Sequence, residues 1–159
     1  MLIDTCIWSL ALRRKTPRDK IVTAKLTSVI NRGDAQIIGP IRQELLSGYI
    51  DSEQLLKLKT QLEYFPDEAI ERDDYITAAE FSNRCRAKGI QGSHTDFLIC
   101  AVAARLKVEI FTTDKDFGRY ERGLPISLYK SCTQSAGQGK REHWAQQISK
   151  IVESSKVLS

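Results

Sequence analysis

Val108-Glu109-Ile110-Phe111-Thr112-Thr113-Asp114-Lys115-Asp116-Phe117 is the stretch from which the fold is read. Val108 to Phe111 is a short apolar run that predicts a buried strand, and Thr112 to Asp116 is the polar turn that follows it. Immediately upstream, Phe97 to Leu106 is apolar nearly all round and broken only by Arg105, so a helix is expected in the middle of the fold rather than on its surface. Downstream, Ile126 to Tyr129 reads as a last strand. Toward the N-terminus, Leu2-Ile3 predicts a strand ending near Asp4, and Ile7, Trp8, Leu10, Ala11 and Leu12 a helix after it. Ala35 to Gly39 is a second short strand, closed by Pro40, which suits the first turn of a helix carrying Ile41, Leu45 and Leu46 and ending at Gly48. Helical spacing recurs from Ser52 to Tyr64 before Pro66, and again through Tyr75, Ala78, Ala79, Phe81 and Cys85 to Gly89. Asp67, Glu68, Glu71, Asp73 and Asp74 are expected to form a solvated acidic run between them. Short apolar strands alternating with helices imply an α/β fold around a parallel sheet.

A chain of 159 residues with 42% hydrophobic content supports one sizeable core. Residues 1–130 are expected to form that domain. Residues 131–159 read as a Ser/Gln/Gly-rich linker followed by an amphipathic C-terminal helix carrying Trp144, Ile148, Ile151 and Val152, packed on its own domain or on a partner. No run approaches the roughly 18 apolar residues of a membrane span, and Met1-Leu2-Ile3-Asp4 lacks a secretory leader, so a cytoplasmic protein without membrane attachment is expected. Cys6, Cys85, Cys100 and Cys132 form no CxxC pair and read as reduced thiols, not as a zinc or disulfide framework. The net charge of +4 divides into +4 over residues 1–50, −2 over 51–130 and +2 beyond. Arg13, Arg14, Lys15, Arg18 and Lys20 carry the basic excess, as a phosphate-facing cluster or a solvated helix end.

In an open parallel sheet ligands gather outside the carboxyl ends of the strands. Asp4 and Asp114 fall at such ends, Glu44 lies one turn into the helix after the second strand, and Asp96 lies just before the apolar helix. Each has an ordinary structural use when taken singly: Ser93-His94-Thr95-Asp96 resembles a capping box, Glu44 complements a helix dipole, Asp116 is placed to cap a helix through Tyr120, and Asp4 to cap the first helix. Four carboxylates converging on one sheet edge repel unless protons or a cation compensate them, and an all-oxygen set suits Mg²⁺ or Mn²⁺. Divalent ions held this way support hydrolysis of a nucleic-acid backbone.

Leu2-Ile3-Asp4-Thr5, Glu44-Leu45-Leu46-Ser47-Gly48, Asp96-Phe97-Leu98-Ile99-Cys100-Ala101 and Thr112-Thr113-Asp114-Lys115-Asp116-Phe117, in this order and spacing, resemble a PIN-domain nuclease, specifically the VapC-type toxins of toxin–antitoxin pairs. The resemblance covers most of residues 1–130. It implies a three-layer α/β/α sandwich with a mainly parallel central sheet, acting as a Mg²⁺- or Mn²⁺-dependent endoribonuclease on single-stranded regions of RNA, as a homodimer restrained by a protein antitoxin. By position it implies Asp4, Glu44, Asp96 and Asp114 as the catalytic acids, with Asp4, Asp96 and Asp114 as direct metal ligands, Glu44 acting through water and Asp116 placed for a second ion. Thr5 and Thr112 would orient a carboxylate or water by hydrogen bonding. Arg13, Arg14, Arg42 and Lys115 are candidates for RNA contact. His94 is expected at a solvent-facing helix start and Trp8 in the core.

Two other functions fit the same carboxylates. A PIN fold that binds RNA or protein without cutting would not need the intact acidic set. A receiver-like Mg²⁺-binding signalling domain needs an adjacent acidic pair after its first strand, where this chain has Asp4-Thr5.

Overall fold

The computed structural model describes residues 1–13 and 17–129, and no side chain at 13 or 17–19. Arg14, the Arg13 side chain, Cys132 and the linker and helix expected over 131–159 lie outside the described residues. Five short strands, β1 (Leu2–Ile3), β2 (Ile37–Ile38), β3 (Asp67–Glu68), β4 (Glu109–Phe111) and β5 (Ser127–Leu128), pair in parallel throughout. β1 lies on β4 with Leu2 opposite Ile110 and Ile3 opposite Phe111. A parallel bridge between Leu2 and Gln36 joins β1 to the approach of β2, with the Ile3 N–H donating to the Gln36 carbonyl at 3.1 Å. The strand order is therefore β3-β2-β1-β4-β5.

Seven helices connect the described strands: α1 (Thr5–Arg13), α2 (Pro17–Asn31), α3 (Gly39–Ser47), α4 (Ser52–Leu62), α5 (Arg72–Arg86), α6 (His94–Leu106) and α7 (Lys115–Tyr120). The chain winds outward from β1 through β2 to β3, then crosses back to β4 and continues to β5. Right-handed crossovers put the helices of these two windings on opposite faces. The observed packing agrees, since α1 lies against α2 and α3, α3 against α4, and α5 along α6. This is the three-layer α/β/α sandwich. Leu2, Ile3, Ile37, Ile38 and Ile110 have no exposed surface, as strands covered on both faces require. Helix α6 has Phe97 through Ala103 buried, which accounts for its nearly continuous apolar sequence.

Three expectations change. The acidic run from Asp67 to Asp74 is solvated at Asp67, Glu71 and Asp73, but Asp67–Glu68 is the edge strand β3 and Asp74 is 2% exposed. Arg105, the one interruption in the apolar α6 sequence, reaches both Asp74 oxygens at 2.8 and 3.0 Å and donates to the Ala69 carbonyl at 2.7 Å. Gly39 opens α3 instead of closing β2, because Ile38 already has the extended backbone of an N-cap. The helix capped at the turn after β4 takes its cap from Asp114, whose side chain accepts the Asp116 N–H at 2.9 Å, and not from Asp116.

Candidate active site

The winding reverses between β1 and β4, the neighbours at the centre of the sheet. Chains leaving their carboxyl ends diverge to opposite faces, α1 to one and α7 to the other, and leave a crevice between them. Asp4 follows β1 and Thr112 to Asp114 follow β4, so the crevice is flanked by the residues that the strand ends carry. Only Lys107 and Val108 separate α6 from β4, so the helix runs back along the strand and brings Asp96, in its first turn, to the same edge.

Asp4 is 7% exposed and sits where the ladder ends, its N–H donating to the Phe111 carbonyl at 3.0 Å. Its Oδ2 accepts from the Thr112 hydroxyl at 2.7 Å and the Cys6 thiol at 3.0 Å. Among the described residues no Lys or Arg pairs with it. Burial pushes the Asp4 carboxyl above the usual aspartate range and the charge of Asp96 pushes it further, against the bonds from Thr112, Cys6 and the Thr5 N–H. Cys6 in turn accepts from the Thr113 N–H at 3.3 Å and hydroxyl at 3.4 Å, and the Asp114 N–H donates to Thr112 Oγ1 at 2.9 Å. A continuous network thus joins the start of α1 to the β4–α7 turn.

The other acids keep partial uses. Asp96 completes a capping box, its Oδ2 accepting from the Ser93 N–H at 2.9 Å while its own N–H donates to Ser93 Oγ at 3.0 Å. Glu44, exposed on α3, accepts from the Thr5 hydroxyl at 2.8 Å. Asp116 pairs with Arg119 at 3.0 Å. Asp114 and Asp96 are held relative to each other by Tyr120, which is fully buried, stacks edge-on against Phe117 and tilts against Phe97. Its hydroxyl donates to the Gln91 carbonyl at 3.1 Å. Gly92 is required beside it, because a Cβ there would lie 2.2 Å from the Tyr120 oxygen and 2.9 Å from Cζ.

The family model described as PIN domain matches residues 1–123. The chain belongs to the PIN domain family. Among solved structures, this PIN fold is similar to a chain in the crystal structure of FitAcB from Neisseria gonorrhoeae, with TM-score 0.66 and 20% identity over 81% of this chain and 96% of that one. It is also similar to a chain in VapBC2 from Rickettsia felis bound to a DNA fragment from their promoter, with TM-score 0.61 and 16% identity over 80% and 96%. At these identities the likeness is one of fold. No curated protein matches the chain. The PIN strand order also separates it from the receiver-like alternative, in which the third strand lies beside the first.

The PIN edge of the sheet therefore brings Asp4 within electrostatic reach of Asp96, ties Asp4 to Thr112 and Thr112 to Asp114, and ties Glu44 to Thr5. No three His, Cys, Asp or Glu side chains among the described residues stand together as a ready-made cage. The donor set nonetheless fits a hard cation: Asp4 is a buried carboxylate without a counter-charge, and Mg²⁺ is commonly held by one or two carboxylates with retained water rather than by an all-protein cage. Of the basic candidates, Lys115 is exposed at the start of α7. The Arg42 guanidinium is taken up by Asp67 at 2.9 Å and by the Leu62 and Phe65 carbonyls, which pins α3 to the α4–β3 turn. Trp8 is core, edge-on to Phe65 at 5.0 Å. Sequence reasoning missed Cys6 and Thr113 as parts of the network. The available signal was position, since Cys6 lies in the first turn after Asp4 and Thr113 in the turn after β4.

Proposed function

We propose that this chain is a Mg²⁺- or Mn²⁺-dependent endoribonuclease that cuts single-stranded regions of RNA, as the toxin of a toxin–antitoxin pair. The observation that carries the reading is Asp4: a carboxylate buried at the topological switch point, beside the charge of Asp96, with hydroxyl, thiol and amide donors but no cation. The order of the acidic motifs and the fold likeness to VapBC2 support the toxin and its protein antitoxin. Tyr75 and Ile76, exposed on α5 beside a groove lined by Pro40, Ala78, Phe97 and Leu98, offer an apolar face for the homodimer. No helix among the described residues is long and apolar enough to cross a membrane.

Asp4, Asp96 and Asp114 would hold the ion directly, with Glu44 through water and Asp116 placed for a second. When bound, the ion lowers the pKa of water and neutralises charge developing on a phosphodiester. Thr112 fixes the Asp4 rotamer through its 2.7 Å bond and orders the Asp114 backbone through its second lone pair. Thr5 sets the Glu44 carboxylate, and Lys115 faces solvent where a phosphate would approach. The role of 1–130 as the nuclease unit, with 131–159 as an extension, belongs to the same proposal. The test is cleavage of mixed structured and single-stranded RNAs by the purified full chain with Mg²⁺, with Mn²⁺ and with EDTA, alongside Asp96→Asn. Metal-dependent cutting lost in the variant supports the nuclease. Absence of cutting under every condition returns the chain to a silent RNA- or protein-binding PIN module.

A further inference from the structure

Beyond the carboxylates, the end of α5 and the end of α7 enclose a cavity of about 360 Å³. Its walls carry Arg84 and Lys88 from one side and Arg119 and Arg122 from the other, over a floor that includes Cys85 and Ile90. Lys88 spans the gap, since a Cβ on Gly123 would lie 3.1 Å from its Nζ. Only Arg119 has an acidic partner among the described residues, at Asp116. Arg84 lies 5.8 Å over the Phe81 ring, and no described ion pair involves Lys88 or Arg122. All four cations are exposed around one concave site, so an anion entering it meets positive charge from both sides over a partly apolar floor.

The cavity adjoins the candidate active site through a single ion pair. Asp116 stands in the first turn of α7 and Arg119 one turn later, about 4.5 Å along the helix axis. A strand leaving the carboxylate crevice along α7 meets Arg119 first and the cavity next. Three of the four cations are arginines, whose planar forks match phosphate oxygens in pairs. We propose that this basic cavity binds a backbone phosphate of the same RNA strand, outside the scissile bond, and so anchors the substrate in register. This rests on the nuclease reading for its substrate, while binding can be measured without cleavage.

The experiment compares the full-length parent with Arg84→Gln/Lys88→Gln/Arg122→Gln, leaving Arg119 in place to keep its bond to Asp116. Binding of a short single-stranded RNA of mixed sequence is measured in EDTA across a salt series, and cleavage in Mg²⁺ across RNA concentrations. The triple variant is expected to bind about 10-fold or more weakly and to lose about 0.7 from the salt slope, the value for one lost single-strand phosphate contact. In cleavage it should show a raised KM with kcat retained, and Arg84→Lys/Arg122→Lys, which keeps the charge but loses the forks, should bind more tightly than the triple variant and more weakly than the parent. Unchanged affinity and slope in the triple variant overturn the proposal, as does a parent that does not bind RNA. So does a variant that keeps RNA binding but loses binding of a poly-glutamate peptide, which would assign the cavity to an acidic protein segment. A parent that binds RNA through the cavity but never cuts contradicts the nuclease reading and leaves the anchor standing.

Discussion

Asp4 and Asp74 are the two buried acids among the described residues, and they are compensated in opposite ways. Burial raises both carboxyl pKa values. At Asp74 the Arg105 guanidinium, together with the backbone at Glu71, outweighs that effect and holds the group below the usual range. At Asp4 three neutral donors fail to outweigh burial and the charge of Asp96, and the group stays high. An acid whose partner is built in belongs to the fold, here pinning α5 to the end of α6. One buried without a counter-charge costs stability, and under the proposed function the cation it holds offsets that cost.

The same kind of substitution should therefore act differently at the two places. Asp4→Asn or Asp96→Asn is expected to lower RNA cleavage by more than about 100-fold, at or beyond the upper range for groups that merely support metal ligands. The melting temperature of the metal-free Asp4→Asn chain should equal or exceed the parent's, as scanning calorimetry in EDTA would show. Asp74→Ala should cost about 3 kcal/mol in urea unfolding, the low end for breaking a buried pair because Arg105 is partly exposed, with cleavage per folded molecule unchanged. Equal stability losses at Asp4 and Asp74 would erase the distinction.

Thr112→Val removes the hydroxyl linking Asp4 to Asp114 and should reduce cleavage by about 10- to 100-fold, with metal affinity following. The smallest effect is on pH dependence. A depressed carboxyl such as Asp74 contributes stability above its unfolded pKa and loses it as pH falls through its folded pKa. A raised carboxyl such as Asp4 makes the folded state the better proton acceptor, so acidification through the raised pKa toward the ordinary aspartate value is stabilising. Urea melts of the metal-free parent should carry this Asp4 contribution before the acid loss, and Asp4→Asn should lack it.

Much of this contrast was legible in the sequence, and its failures have physical causes. β1, β2 and β4 were visible because central strands covered on both faces must be apolar. β3 was hidden because an edge strand of Asp67 and Glu68 looks like a loop. α2 was overlooked behind its basic approach, although Val22, Leu26, Val29 and Ile30 fall on one helical face. Asp74 looked solvated because its partner lies 31 residues away, yet Arg105 interrupting an apolar helix was a sign that a buried acid was needed. The four carboxylates stand out by their positions at strand ends and helix starts, and their joint role belongs to the proposed function. The Cys6 and Thr113 network does not stand out, since nothing local shows that a thiol will turn toward Asp4.

The most direct measurement is a Mn²⁺ titration of the purified chain, followed by the paramagnetic signal of unbound Mn²⁺, with the parent and Asp4→Asn side by side. Saturable binding by the parent, weakened about 10-fold or more in Asp4→Asn, is the predicted result. Equal binding by the two chains, or none by the parent, would contradict the account of Asp4 as the buried charge that a cation completes.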